Sequence, residues 1–161
     1  MEKYESEGKN IVYLDESGFA QSMPRTHGYS KKGQRCYDTH NWHAKGRLNA
    51  IGAIVKNTFL TLSLFSCSIN SDVFYTWLTQ DLLPKTPKES VIVMDNATFH
   101  KRHDMLEAIH KNSCIVEFLP PYSPDMNPIE KKWAQAKSIR RKNRMTTDQL
   151  FTEHFPYAKL N

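Results

Sequence analysis

Apolar residues follow two different periods along the chain, and the change between them indicates where strands and helices lie. Strands are predicted at Ile11–Leu14, at Leu48–Val55 and at Phe59–Phe65, where leucine alternates with a polar residue. Such a period of two is typical of a half-buried strand. The three residues that separate the second strand from the third are suited to a hairpin turn.

The spacing becomes helical after the third strand. Asn70 or Ser71 can cap a helix, and Pro84 and Pro87 are expected to end it. The predicted inward face of this helix consists of Phe74, Trp77, Leu78 and Leu82.

Strands and helices then alternate. Val91–Met94 is a continuous apolar run, as expected of a strand buried on both faces. Another strand is predicted at Ile115–Leu119, after a helix whose inward residues are Met105, Leu106 and Ile109. A proline-rich loop precedes a long helix from near Asn127 to about Asn143, and a shorter helix begins near Thr147. This order predicts an α/β fold, in which helices pack against a sheet.

The composition is that of one ordinary globular domain covering residues 1–161. No apolar run approaches the ~20 residues that cross a bilayer, and the charged N-terminus does not resemble a signal peptide. Cys36, Cys67 and Cys114 are odd in number and widely spaced. They predict neither a disulfide scaffold nor a thiolate zinc site, and they indicate a reducing compartment, hence a cytoplasmic protein.

Basic residues are concentrated near the C-terminus, and the formal net charge is +5. Between Lys131 and Arg144 there are seven basic residues and no acid. They are Lys131, Lys132, Lys137, Arg140, Arg141, Lys142 and Arg144. Clustered positive charge is typical of a surface that binds a phosphate backbone, although a solvated helix face has the same composition.

Two acids occupy matching positions at strand ends. Asp15 follows the first strand and Asp95 follows the buried strand Val91–Met94. If these strands are parallel neighbours, the two carboxylates lie side by side at the sheet edge where α/β proteins bind ligands. Their mutual repulsion would be relieved by a hard divalent cation such as Mg²⁺ or Mn²⁺. A single Asp after a strand is also a common turn or cap residue.

A third acid, Glu130, lies at the start of the long helix. With Asn127 as N-cap and Pro128 in the first helical position, its spacing is that of a capping box. The two roles are compatible, since a glutamate on a first helical turn can still direct its carboxylate toward a metal.

Three blocks, Tyr13–Phe19, Val93–His100 and Phe118–Trp133, together resemble one family. They are similar to the catalytic domain of mariner-like-superfamily transposases, specifically the bacterial insertion-sequence branch with an Asp-Asp-Glu triad. The 34 residues between Asp95 and Glu130 match the spacing of that superfamily. The resemblance implies a ribonuclease-H-like fold with a mixed five-stranded sheet and helices on both faces.

The resemblance also assigns the site. It places Asp15, Asp95 and Glu130 around two Mg²⁺ ions, for which Mn²⁺ can substitute, and implies in-line phosphodiester hydrolysis followed by strand transfer of double-stranded DNA. Asn96 and His100 are expected to orient the metal ligands, although His100 also suits a helix cap or an exposed surface. Glu16 is excluded from the site because strand alternation directs it to the other face.

The long helix carries the expected DNA contacts. Lys131 and Lys132 are expected to lie nearest the metals. The phosphate contacts predicted farther along the helix are Lys137, Arg140, Arg141 and Arg144. Trp133 is expected to belong to the core, at helical spacing with Ile129 and Ala136.

Related transposases read their terminal repeats through helix-turn-helix modules, and the 14 residues before Asp15 do not accommodate one. The chain is therefore expected to be a split reading frame, a truncated copy or an excised domain. Its expected partners are DNA, a separate helix-turn-helix chain or a full-length transposase, and a second copy in a homodimer on DNA. It is expected in the bacterial cytoplasm, at the nucleoid when bound to DNA.

Two other functions remain compatible with the sequence. One is a non-catalytic regulator that binds DNA ends or a full-length transposase. The other is a host nuclease of the same fold.

Overall fold

Five strands form one mixed sheet in the computed structural model, which describes residues 2–20, 47–95, 102–120 and 126–159. The strands are β1 (Ile11–Ala20), β2 (Arg47–Val55), β3 (Thr58–Phe65), β4 (Val91–Met94) and β5 (Ile115–Phe118). The helices are α1 (Glu2–Ser6), α2 (Ser71–Trp77), α3 (Leu83–Lys85), α4 (His103–Lys111), α5 (Ile129–Asn143) and α6 (Thr147–Glu153).

The order of the strands across the sheet is β3-β2-β1-β4-β5. β1, β2 and β3 pair antiparallel, whereas β4 runs parallel to both β1 and β5. β2 and β3 form a hairpin whose two turn residues, Lys56 and Asn57, have φ values of 50° and 68°. Positive φ at both turn residues is typical of the type I′ turn, whose twist matches that of the two strands it connects. The predicted mixed five-stranded sheet is confirmed.

Helices cover both faces of the sheet. On one face, Val12 and Leu14 of β1 pack in a core with residues of α2, α3 and α4. On the other face, Phe19 of β1 packs with residues of α5 and α6, including Trp133. Because neighbouring strand residues point to opposite faces, Asp15 lies on the same face as Phe19 and therefore on the side of α5.

The helix predicted after residue 70 is capped by Asn70, whose side-chain oxygen accepts a hydrogen bond from the Val73 N–H at 2.9 Å. It does not stop at the first proline. A π-helical turn, Leu78–Leu82, connects α2 to α3, and Pro84 lies within α3. Since a proline clashes with the carbonyl one turn earlier, the wider π turn immediately before it accommodates the ring.

The prediction that the cysteines form no disulfide framework needs a correction. Cys67 is disulfide-bonded, which the wide cysteine spacing did not predict, because pairing depends on the folded path of the chain rather than on sequence separation. Cys114 is free and buried. Among the described residues, no helix is both long enough and apolar enough to span a membrane.

Candidate active site

The register between β1 and β4 brings two acids together. The last pair in the parallel ladder is Tyr13 with Val93. Asp15 and Asp95 each lie two residues beyond that pair. The two carboxylates therefore lie at the same level, just past the end of the β1–β4 ladder. The two acids are therefore adjacent, as the sequence predicted from parallel neighbouring strands. Only Asp95 follows its strand, however: β1 runs from Ile11 to Ala20, so Asp15 lies within it and not at its end.

Glu16 joins this pair, contrary to the prediction from strand alternation. Asp15, Glu16 and Asp95 each place one carboxylate oxygen within 4.8 Å of the other two. The backbone of Glu16 does direct its Cβ to the opposite face. The glutamate side chain is nevertheless long enough to bring its carboxylate to those of Asp15 and Asp95.

Glu130 reaches the site from α5. The helix begins at Ile129, and the Glu130 carboxyl group is hydrogen-bonded to the Asp15 carboxyl group. The expected capping box does not form, because Glu130 turns to Asp15 instead of back to the cap. Asn127 accepts the Ile129 N–H at 3.1 Å. Its amide also donates to the Leu14 carbonyl oxygen at 3.2 Å, which ties the start of the helix to β1.

Asp15 is the most buried member of the cluster, with 8% of its surface exposed. Burial raises the pKa of Asp15 to about 9, and the hydrogen bond to Glu130 and the charge of Glu16 act in the same direction. A carboxyl group in this environment holds a proton unless a cation replaces it. Because several carboxylate oxygens converge there, the donor set fits a hard divalent cation such as Mg²⁺ or Mn²⁺.

The basic residues of α5 divide between two directions. The Lys137 ammonium group lies 5.1 Å from the centre of the Phe19 ring, at the far end of β1. Lys132 turns toward the segment that follows α6, where its ammonium group lies 5.4 Å from the centre of the Phe155 ring. Arg140 is only 9% exposed, and burial lowers its pKa. Lys131, Arg141 and Arg144 are exposed.

A further cation lies near the site on the opposite face of β1. A side chain at Gly18 would collide with the Arg47 guanidinium, so the glycine leaves room for that group to lie across β1. Nearby, an open cavity of about 260 Å³ lies beside Glu16. Its lining residues are Glu16, Ser17, Gly18, Asn49, Ser68 and Ile69. Nothing in the sequence singles out Arg47, because it lies 32 residues after Asp15 and outside the basic cluster.

The remaining predictions about the site have mixed outcomes. Asn96 and His100 lie outside the residues that the structure describes. Trp133 is buried in the core together with Ile129 and Ala136, as expected. The involvement of Glu16 has a signal in the sequence, since it directly follows Asp15. The Asn127–Leu14 hydrogen bond has none, because it joins residues that are 113 positions apart.

Comparisons with known proteins identify one family. A family model described as DDE superfamily endonuclease matches residues 10–150. No curated protein sequence matches the chain.

Three solved structures of Mos1 transposase share the fold. The paired-end complex with the left transposon end has a TM-score of 0.62 at 19% identity, over 86% of this chain and 45% of that one. The strand transfer complex has a TM-score of 0.59 at 17% identity, over 94% and 50%. The catalytic domain with raltegravir and Mn has a TM-score of 0.57 at 13% identity, over 85% and 66%. The chain therefore spans about half the length of the transposase in these complexes.

Proposed function

Since the chain belongs to the DDE superfamily of endonucleases, we propose that it is the catalytic domain of a DNA transposase. Its reaction would be phosphodiester hydrolysis at transposon ends followed by strand transfer into target DNA. One observation carries the proposal: carboxylate oxygens of Asp15, Glu16 and Asp95 converge within 4.8 Å while Glu130 is hydrogen-bonded to Asp15.

In this proposal Asp15, Asp95 and Glu130 are the catalytic residues and would hold two Mg²⁺ ions, for which Mn²⁺ could substitute. Such ions would supply activation of a water or a DNA 3′-hydroxyl and neutralise charge at the scissile phosphate. The protein's contribution is to hold the three carboxylates at the sheet and at the start of α5. The buried Asp15 carboxyl group would give up its proton when a cation is bound. Mos1 catalytic domain structures with Mn and with Mg support the choice of metal.

The charge distribution supports a path for the DNA backbone along α5. Lys137 lies two turns beyond Glu130 on the same side of the helix, about 10 Å along its axis. Arg141 lies one turn farther along on that side, and Arg144 follows the end of the helix in a left-handed conformation with a φ of 52°. We define these three residues as the α5 stripe, and we assign them to phosphate contacts that position the duplex without reading its sequence.

The other basic residues are assigned to DNA contacts according to their positions. Lys131, which directly follows Glu130 in the sequence, and Arg47, whose guanidinium lies against Gly18, are assigned to phosphates near the scissile bond. Lys132 and Arg140 are assigned weaker phosphate contacts. Lys132 faces Phe155, and Arg140 is buried. Asn96 and His100 are retained as residues that orient the metal ligands.

Partners and location belong to the same proposal. The Mos1 complexes contain transposon ends, and we expect this chain to bind double-stranded DNA as a homodimer. A separate helix-turn-helix chain or a full-length transposase would supply recognition of the terminal repeat. The expected location is the bacterial cytoplasm, at the nucleoid when DNA is bound.

The test is cleavage of supercoiled plasmid by the purified chain with Mg²⁺ or Mn²⁺. We expect the wild-type protein to nick the plasmid and Asp95→Asn to be inactive while remaining folded. Asp148→Asn is the matched control, since it makes the same change at an exposed carboxylate on α6 and should nick normally.

Three results would contradict the proposal. Nicking by Asp95→Asn at the wild-type rate would show that the assigned triad is wrong. A folded wild-type protein that binds DNA but never nicks it would favour the regulator. A host nuclease would be favoured if the chain cleaves DNA but its coding region lacks flanking terminal inverted repeats.

A further inference from the structure

Asn127 makes hydrogen bonds in two directions from a buried position. Only 3% of its surface is exposed. Its side-chain oxygen accepts the Ile129 N–H at 3.1 Å, as a helix cap does. Its side-chain amide donates to the Leu14 carbonyl oxygen at 3.2 Å, across to β1. A cap alone needs only the first of these bonds.

The second bond joins the two segments that carry Asp15 and Glu130. Leu14 immediately precedes Asp15, and Asn127 lies three residues before Glu130. The Glu130 N–H donates to the Asn127 backbone carbonyl at 3.0 Å. The covalent path from each end of the tether to its carboxylate is therefore short, so small changes in the tether alter the distance between the two acids.

Asn70 shows what an ordinary cap looks like in the same chain. Its oxygen accepts the Val73 N–H at 2.9 Å, but the residue is exposed, and none of its hydrogen bonds within the described part of the chain reaches the sheet. The difference between the two asparagines is the bond from Asn127 to β1. Burying an amide is unfavourable unless both its donor and its acceptor are satisfied, and at Asn127 both are.

We propose that Asn127 is a positioning residue that sets the approach of Glu130 to Asp15, beyond its role as a helix cap. This role rests on the proposed function, because the distance between the two carboxylates determines whether they can hold a cation together. The hydrogen-bonded arrangement itself does not depend on that function.

The first test uses Asn127→Ser in the metal-free protein. Serine can still accept the Ile129 N–H but is too short to reach Leu14, so capping and tethering are separated. We expect the amides of Ile129, Glu130 and Lys131 to exchange hydrogen up to about tenfold faster. We also expect the crystal structure of the variant to show Glu130 displaced from Asp15.

Asn70→Ser is the matched control, because it makes the same substitution at a cap without a tether. Its effect should be confined to the first turn of α2. Unchanged exchange in α5 of Asn127→Ser, with the Glu130–Asp15 hydrogen bond retained in its crystal structure, would overturn the proposal.

The second test measures Mg²⁺ affinity from the stabilisation of the protein against heat, which requires no catalysis. We expect Asn127→Ser to weaken apparent Mg²⁺ binding by at least about tenfold, the usual effect of removing a group that orients metal ligands. Asn70→Ser should bind Mg²⁺ like the wild type. Wild-type affinity in a folded Asn127→Ser protein would also overturn the proposal.

The two proposals fail in different ways. If the wild-type protein shows no response to Mg²⁺ but Asn127→Ser still displaces Glu130, the proposed function is wrong and the positioning role stands. If Asn127→Ser does not fold, Asn127→Asp keeps the side-chain volume and the cap oxygen but removes the amide donor. Failure of both variants to fold would show that Asn127 is purely structural and would overturn the positioning role.

Discussion

Trp133 packs so closely on Gly52 that a Cβ at that glycine would stand 2.9 Å from the Cη2 atom of the indole. Gly52 is the cross-strand partner of Asp15, and Trp133 follows Glu130 by three residues on α5. The absence of a side chain at Gly52 therefore sets how closely α5 packs on the sheet beside Asp15.

Gly52→Ala is expected to lower the free energy of unfolding by about 1–3 kcal/mol, the usual cost of overpacking a core. The added methyl group must displace Trp133, and Glu130 moves with the helix, so Mg²⁺ affinity should fall as well. Urea denaturation and Mg²⁺-dependent thermal shifts measure the two effects.

The double variant Gly52→Ala/Trp133→Phe tests the cause. The smaller ring makes room for the methyl group, so the two substitutions should cost less together than the sum of their separate costs. Strict additivity would contradict the packing explanation.

The stability of the metal-free protein should decrease with rising pH because of Asp15. Its pKa is raised to about 9 in the folded protein, compared with about 4 when unfolded. Between these values the folded state binds more protons than the unfolded state, so the free energy of unfolding falls by at most about 1.4 kcal/mol per pH unit. Below about pH 4, the contribution of Asp15 to the free energy of unfolding is fully present.

Unfolding in urea near about pH 5 and about pH 8, within this window, measures the effect. We expect Mg²⁺ to stabilise the protein more at the higher pH, since it replaces the proton. Asp15→Asn should flatten the pH dependence and abolish the Mg²⁺ effect, whereas Asp148→Asn should leave both unchanged. Equal Mg²⁺ stabilisation at both pH values would refute the exchange of proton for metal.

Glu16 and Glu130 should respond differently to loss of charge. Glu130→Gln is expected to abolish nicking, because Glu130 lies on the same face as Asp15 and is bonded to it. Glu16→Gln should retain nicking and weaken Mg²⁺ binding by about tenfold or less, since strand alternation directs the backbone of Glu16 to the face opposite Asp15. Plasmid nicking at increasing Mg²⁺ concentration distinguishes the two, and inactivity of Glu16→Gln at saturating Mg²⁺ would make Glu16 a catalytic residue.

The α5 stripe predicts how DNA affinity depends on salt. Alanine at Lys137, Arg141 or Arg144 should weaken binding to any duplex sequence. Each substitution should reduce the slope of log affinity against log salt by about 1, the loss of one phosphate contact. Lys132→Ala is the matched control, because Lys132 faces Phe155. An equal loss of slope in the control would refute the division of the helix into two sides.

Local patterns predicted much of the secondary structure. The turn after β2, the Asn70 cap of α2 and the buried strand β4 all lie where short-range sequence signals placed them. These features depend on residues within one or two turns of each other, so their physical causes are visible in a short stretch of sequence. The helix passing through Pro84 departs from the local rule, since the π turn that relieves the clash has no comparable signal.

The acidic site divides in the same way. The amino-acid order alone determined that Asp95 follows a strand and that Glu130 opens a helix, because hydrophobic period and capping chemistry are local. It did not show that β1 continues to Ala20 and so contains Asp15, because that extension depends on pairing with β2. Only the folded chain decided that Glu16 enters the cluster and that Glu130 bonds to Asp15 rather than closing a capping box. Those outcomes depend on where β4 ends beside β1 and on how Asn127 and Gly52 seat α5. Contacts between segments 80 or more residues apart leave no periodic trace in the sequence.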